Sequence, residues 1–181
     1  MNFLDTLAQR NKNFATTGFV DGLKMMPTQK TVIIGCVDPR VDPADVFGLE
    51  TGETAVIRNV GGRITKAALE SLALVGKLAK AGGKEVGPGW NLVVLHHTDC
   101  GINGCSRLAP DLLADHLGVQ PADFDAIGIT DPYKSVAFDI AALQANPDLP
   151  SGLVVSGVVY DVATGHTQTV VAPFALGGNG N

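Results

Sequence analysis

The stretch VVLHHTDCG, Val93–Gly101, governs how the rest of the chain is read. Three aliphatic residues run without a polar break into two histidines, an aspartate and a cysteine. An earlier stretch, TVIIGCVDPR from Thr31 to Arg40, has the same form: an aliphatic run that ends in Cys36, Asp38 and Arg40. Unbroken aliphatic runs belong to strands covered on both faces, the usual condition of a parallel sheet. In such sheets ligands bind beyond the carboxyl ends of the strands. Both stretches therefore place chemically capable side chains where an α/β fold puts its chemistry.

Working outward, the flanking segments alternate in type. Residues 1–17 have Phe3, Leu4, Leu7 and Phe14 at helical spacing. DPADVFGL predicts a short helix, with Asp42 as its cap and Pro43 at its first position. ETAVIRNVGG predicts a second strand ending in a Gly-Gly turn, and its end carries Arg58 and Asn59. TKAALESLALVGKLAKAGG predicts a helix capped by Thr65 and stopped by Gly82 and Gly83. WNLVVLHH is the third strand. SRLAPDLLADHLG and DPYKSVAFDIAALQANP predict one helix each. GLVVSGVVYDVATGHTQTVVAP predicts a hairpin about ATGH. Alternating strands and helices predict an α/β fold: a mainly parallel sheet flanked by helices, with the last hairpin adding an antiparallel C-terminal edge strand. The expected organisation is an N-terminal helical arm over 1–26, a single α/β domain over 27–176 and a disordered tail over 177–181.

The bulk properties exclude several function classes. The 181 residues are 45% hydrophobic and 17% charged, which suits a buried core rather than a disordered chain. A net charge of −5, with no cluster of Lys or Arg, gives no footprint for nucleic acid. No apolar run approaches the roughly 18 residues that span a bilayer, so no membrane partner is expected. Three cysteines are too few for a disulfide framework and point to a reducing, cytoplasmic setting. AGGKEVGPG lacks both the spacing and the strand-to-helix position of a phosphate-binding loop.

Parallel strands bring their carboxyl ends to one edge, so Cys36 can converge with His97 and Cys100. Two Cys and one His hold zinc with a fourth position free, the arrangement of a catalytic rather than a structural site. His96 points away from His97 by strand alternation and reads as a hydrogen-bonded spacer. Cys105 reads as a buried thiol, and His116 and His166 as surface or turn residues. A competing scheme makes Cys36 or Cys100 a nucleophile, His97 its base and Asp38 the orienting group. It leaves one cysteine unused and Arg40 without a task, whereas zinc accounts for all five residues. Asp38 can accept a hydrogen bond from water at the metal, and Arg40 can fix Asp38 and keep it ionised. Asp38 could instead fill the fourth zinc position and close the site, leaving a zinc scaffold without catalysis.

CVDPR, GETAVIRNVGG, HHTDCG and GVVYDVATG, in this order between about Thr31 and Val171, resemble the β-class carbonic anhydrases. The resemblance implies that Cys36, His97 and Cys100 bind Zn2+ and that Asp38 and Arg40 form a catalytic dyad. It implies attack of hydroxide formed at the zinc on the carbon of a small linear substrate held near Val60, Gly61 and Gly101. It further implies a homodimer or an assembly of dimers, with the N-terminal helix on the partner subunit. The family glutamine about nine residues before the first zinc cysteine is replaced here by Pro27. The short HHTDCG-bearing members also resemble carbonyl sulfide hydrolases. Reversible CO2 hydration is therefore the expected activity, with hydrolysis of carbonyl sulfide (COS) to CO2 and hydrogen sulfide as the alternative.

Overall fold

The computed structural model describes residues 2–177. After a helix α1 (Phe3–Thr17), the order is β1 (Thr31–Cys36), α2 (Pro43–Phe47), β2 (Thr54–Asn59), α3 (Lys66–Ala81), β3 (Asn91–His97), α4 (Ile102–Leu108), α5 (Pro110–Leu117), α6 (Pro132–Gln144), β4 (Val154–Tyr160) and β5 (Thr167–Ala175). The five strands form one sheet in the order β2-β1-β3-β4-β5. The first four run parallel and β5 is antiparallel to β4, as the aliphatic runs and the final hairpin require.

The order of the strands positions the site. From β1 the chain passes to β2 on one side, and then crosses back over β1 to β3 on the other. The carboxyl ends of β1 and β3 thus border the point where the winding reverses, the crevice in which open α/β sheets bind ligands. Register sets the ends level, with Gly35 beside Leu95 and Cys36 beside Asn59.

Val32, Ile34, Leu92, Val94, Val155 and Val159 share one sheet face and form the main core with α3 and α6. Complete burial of each such side chain contributes about 1.5–3 kcal/mol, which fixes the register of the strands. α3 gives this core Ala68 and Leu72, and α6 gives it Val136, Ile140 and Leu143. The helices are therefore unequally divided. Among the described residues, the other face is covered at its upper part, where Pro43 of α2 lies 3.6 Å from where a Cβ on Gly35 would stand. Below it Ile33, Val93 and Val158 line an open apolar hollow of about 320 Å³.

One expectation is revised. The segment 106–118 is two helices, not one: Ala109 leaves helical geometry at φ −148°, ψ 60°, because the ring of Pro110 disfavours helix in the residue before it. The first of them starts earlier, at Ile102, with no side-chain cap to announce it. Of the expected tail only Gly177 is described, in a turn near Ser151; residues 178–181 lie outside the described residues. The N-terminal arm does form a helix, held by a capping box between Asn2 and Asp5, yet α1 has no buried residue.

Candidate metal centre and the loops that hold it

Cys36 is the last residue of β1, His97 the last of β3, and Cys100 lies in the turn before α4. One ligand atom from each lies within 4.8 Å of the others, and the two sulfurs are 3.8 Å apart. All three cysteines of the chain are free thiols. His97 Nδ1 lies 2.8 Å from the carbonyl oxygen of Thr98. A carbonyl can only accept, so Nδ1 carries the proton and Nε2 carries the lone pair. That Nε2 is buried and has no hydrogen-bond partner. An unsatisfied buried acceptor costs about 1–3 kcal/mol, which a metal ion on Nε2 relieves. Two sulfurs and an imidazole with its lone pair turned to them are the donor set of zinc, so the residues fit the ion the sequence implied. Without metal, the hydrogen bond from Cys100 draws the Cys36 thiol down to about 4, and the same bond pushes the Cys100 thiol up.

Asp38 is not one of this ligand group. Arg40 Nε donates to its Oδ1 at 3.0 Å and Nη2 to its Oδ2 at 2.7 Å, a two-point hold. The Arg40 backbone N–H adds a third bond at 2.9 Å. Chiefly through the guanidinium hydrogen bonds, the Asp38 carboxyl is held down to about 2. Arg40 also reaches the second loop, donating to the carboxylate of Asp99 at 2.8 Å and to its carbonyl at 2.9 Å. Asp99 adopts the left-handed φ of 53°, so HHTDCG turns sharply enough for Cys100 to face back towards Cys36.

Arg58 and Asn59 support the first loop rather than lining the ligand group. Arg58 donates to the carbonyls of Cys36 (2.8 Å) and Asp38 (2.7 Å) and to the Asp42 carboxylate (2.6 Å), bracing CVDPR across its length. Asn59 closes the turn over Val60–Gly62 by bonding the backbone of Arg63 in both directions. In that turn Gly62 has φ 67°, and a Cβ on it would meet backbone atoms of Leu95, Cys36 and Gly35 at 2.9–3.0 Å. Only glycine brings this turn so close to the end of β1.

Sequence reasoning missed what lies behind His96. Its Nε2 faces the Gly62 carbonyl at 3.2 Å and Asp139 at 3.3 Å, so the Ser135 hydroxyl donates to Nδ1 at 2.9 Å. Asp139 also takes a fork from Arg63, at 2.9 and 3.0 Å, and the backbone N–H of Ile64. This ion pair is buried and ties the Gly-Gly turn, β3 and α6 together. The carboxylate comes 76 residues after the arginine, and no local pattern announces such a partner.

A cavity of about 80 Å³ opens beside the ligand group, with Gly61, His97, Cys100, Ile102 and Ser135 among its walls. Of the other expected pocket residues, Val60 packs on the small apolar cluster of Ile102, Leu113, Ile127 and Ile129, and Gly101 precedes α4. Cys105 is half-buried against the same cluster, and His116 and His166 are exposed. Pro27 lines a hollow with Met26 and Trp90 at the amino end of β1, opposite to Cys36.

The sequence profile of the family described as "Carbonic anhydrase" matches residues 31–115. The β-carbonic anhydrase 1 of Mycobacterium tuberculosis is 30% identical over 171 residues, which are 94% of this chain and 99% of that one. The chain belongs to the β-carbonic anhydrase family. A carbonic anhydrase structure from Streptococcus mutans superposes with a TM-score of 0.73 at 31% identity, covering 94% of this chain and 98% of the other. The family's relatives here also include a carbon disulfide hydrolase of Acidianus, 22% identical over 90% of this chain and 86% of that one. Membership supports an enzyme, and the Cys36–His97–Cys100 cluster could hold a metal. Among the described residues no helix is long and apolar enough to cross a membrane.

Proposed function

We propose that this chain is a zinc enzyme that interconverts CO2 and bicarbonate, with Cys36, His97 and Cys100 as the metal ligands and Asp38 and Arg40 as the catalytic dyad. The observation that carries the proposal is the buried, unpartnered His97 Nε2 converging with two thiols beside an aspartate committed to Arg40. The zinc, when bound, supplies the Lewis acidity that makes water a competent nucleophile near neutral pH. Two thiolates offset the charge of the ion, so the protein must assist in forming and aiming that nucleophile. Asp38 does this by accepting a hydrogen bond from the attacking water. Arg40 holds Asp38 ionised and in one rotamer, so the carboxylate is preorganised as an acceptor. With both its oxygens engaged by Arg40, Asp38 is held off the metal, which favours an enzyme over a closed scaffold. The neighbouring cavity, about 80 Å³, has room for a small neutral guest.

Hydrolysis of carbonyl sulfide is the second reading, favoured by the carbon disulfide hydrolase relative. The same attack on carbon gives a thiocarbonate, which breaks down to CO2 and hydrogen sulfide. A homodimer or higher assembly is part of the proposal. Phe3, Leu4, Leu7 and Phe14 on α1 are all exposed, and a lone 15-residue helix is marginal in water, so α1 gains its stability on a partner subunit. The free thiols suit the cytoplasm.

The test compares the zinc-loaded wild type with Asp38→Ala, zinc content being measured on both. The expected result is CO2 hydration that falls by about a hundredfold or more with zinc retained. Equal rates in the two would remove Asp38 from the mechanism.

A further inference from the structure

The late motif DVATG has no part in the chemistry above, yet it reaches the metal centre by one path. Thr98 is the residue between the ligand His97 and the left-handed turn at Asp99. Its carbonyl oxygen orients the His97 ring through Nδ1, at 2.8 Å. Everything else that Thr98 offers is bound by the end of β4 and the segment that follows it. Its N–H donates to the Tyr160 carbonyl at 2.9 Å. Its hydroxyl donates to Asp161 Oδ1 at 3.1 Å and accepts from the Val162 N–H at 3.1 Å. Asp161 is fixed in turn by the Ala163 N–H at 2.9 Å, by the Thr164 hydroxyl at 2.9 Å and by backbone pairing across the turn with His166 and Gly165. The chain from His97 to Cys100 therefore has two supports. Arg40 holds Asp99 from the β1 side, and DVATG holds Thr98 from the β4 side.

We propose that Thr98 and Asp161 are positioning residues for the metal ligand His97: the DVATG turn fixes the Thr98 peptide, and that peptide sets the tautomer and rotation of the imidazole. The idea rests on the zinc reading given under Proposed function. Its physical basis is that a ligating histidine gains its direction from the acceptor on its other nitrogen, and loss of such an acceptor costs metal affinity. Here the acceptor is a backbone carbonyl, so its placement depends on what anchors the threonine that carries it. Thr98→Val keeps the shape and removes the hydroxyl that joins Asp161 to Val162. Thr98→Ser keeps the hydroxyl and restores the clamp.

The experiment uses the full chain, stripped of metal, with zinc affinity measured by competition against a chromophoric chelator. The unfolding midpoint of each metal-free variant and the absorption spectrum of its cobalt form are recorded alongside. Thr98→Val and Asp161→Ala are each expected to raise the zinc dissociation constant on the order of tenfold and to alter the cobalt spectrum. Thr98→Ser is expected to remain within about twofold of wild type. Because both residues act through one path, the double variant Thr98→Val/Asp161→Ala is expected to be no weaker than the worse single variant. Should Thr98→Val not fold, Asp161→Ala in the half-exposed turn carries the test alone. Variants that fold and bind zinc as tightly as wild type would overturn the proposal. So would additive losses, or losses in metal-free stability that account for the whole effect. A wild type that takes up no zinc overturns the metal reading itself, a result distinct from zinc uptake that is indifferent to Thr98.

Discussion

Replacing Arg63 by methionine strands the carboxylate of Asp139 in the interior. The side chains of this pair are 3% and 4% exposed, and the arginine supplies two of the four donors that face the carboxylate. Breaking a buried pair from one side costs about 3–5 kcal/mol, because the remaining charge has lost its countercharge without regaining water. For a chain of this size each kcal/mol lowers Tm by about 2–4 °C, so Arg63→Met is expected to melt roughly 6–20 °C below wild type. Asp139→Leu is expected to cost a similar amount. The double variant removes both charges and keeps the His96–Gly62 contact, leaving the Ile64 N–H and the Ile127 carbonyl unpaired. Its cost should be about 1–3 kcal/mol, well below the sum of the singles. Urea unfolding of the zinc-loaded proteins at pH 7 measures all three. Singles that each cost under about 1 kcal/mol, or a double equal to the sum, would refute the reasoning. Acid adds a check. Burial works to raise the Asp139 carboxyl, but the His96 contact and Arg63 outweigh it and the net shift is downward. A lowered folded value gives stability that is complete above the unfolded value, about 3.9, and is lost as pH falls through the folded one. Wild type should therefore lose stability more steeply than Asp139→Leu below about pH 4.

Gly62→Ala is expected to destabilise by more than about 2 kcal/mol, since it forces a left-handed φ of 67° on alanine and drives Cβ into backbone. Gly48→Ala, at φ 62° in open space, should cost only about 1 kcal/mol in the same unfolding assay. Cys36→Ser is expected to lower zinc content and hydration rate together. Cys105→Ser, outside the ligand group, should leave both near wild type, as metal analysis and a CO2 hydration assay would show.

The strands were legible because TVIIGC and NLVVLHH carry a continuous aliphatic signal that few other environments explain. The helix starts at Pro43 and Lys66 were legible for a local reason: Asp42 and Thr65 each accept a backbone N–H of the first turn. The convergence of Cys36 with His97 and Cys100 followed from parallel order alone. What lay hidden was long-range or uncapped. Ile102 begins α4 without a capping side chain, and Gly104 blurs its pattern. Arg63 with Asp139, and Thr98 with Asp161, are partners across 76 and 63 residues, joined only once the sheet has formed. The uneven cover of the sheet escaped too, since buried aliphatics look alike whether a helix, a loop or another subunit covers them.

On one zinc-loaded preparation, kcat/KM for CO2 hydration and for sulfide release from carbonyl sulfide would test the functional account most directly. The account predicts a measurable rate with CO2 that exceeds the rate with carbonyl sulfide. A higher value for carbonyl sulfide would make the chain a sulfur-substrate hydrolase, and activity on neither would contradict the enzymatic reading of the Cys36–His97–Cys100 centre.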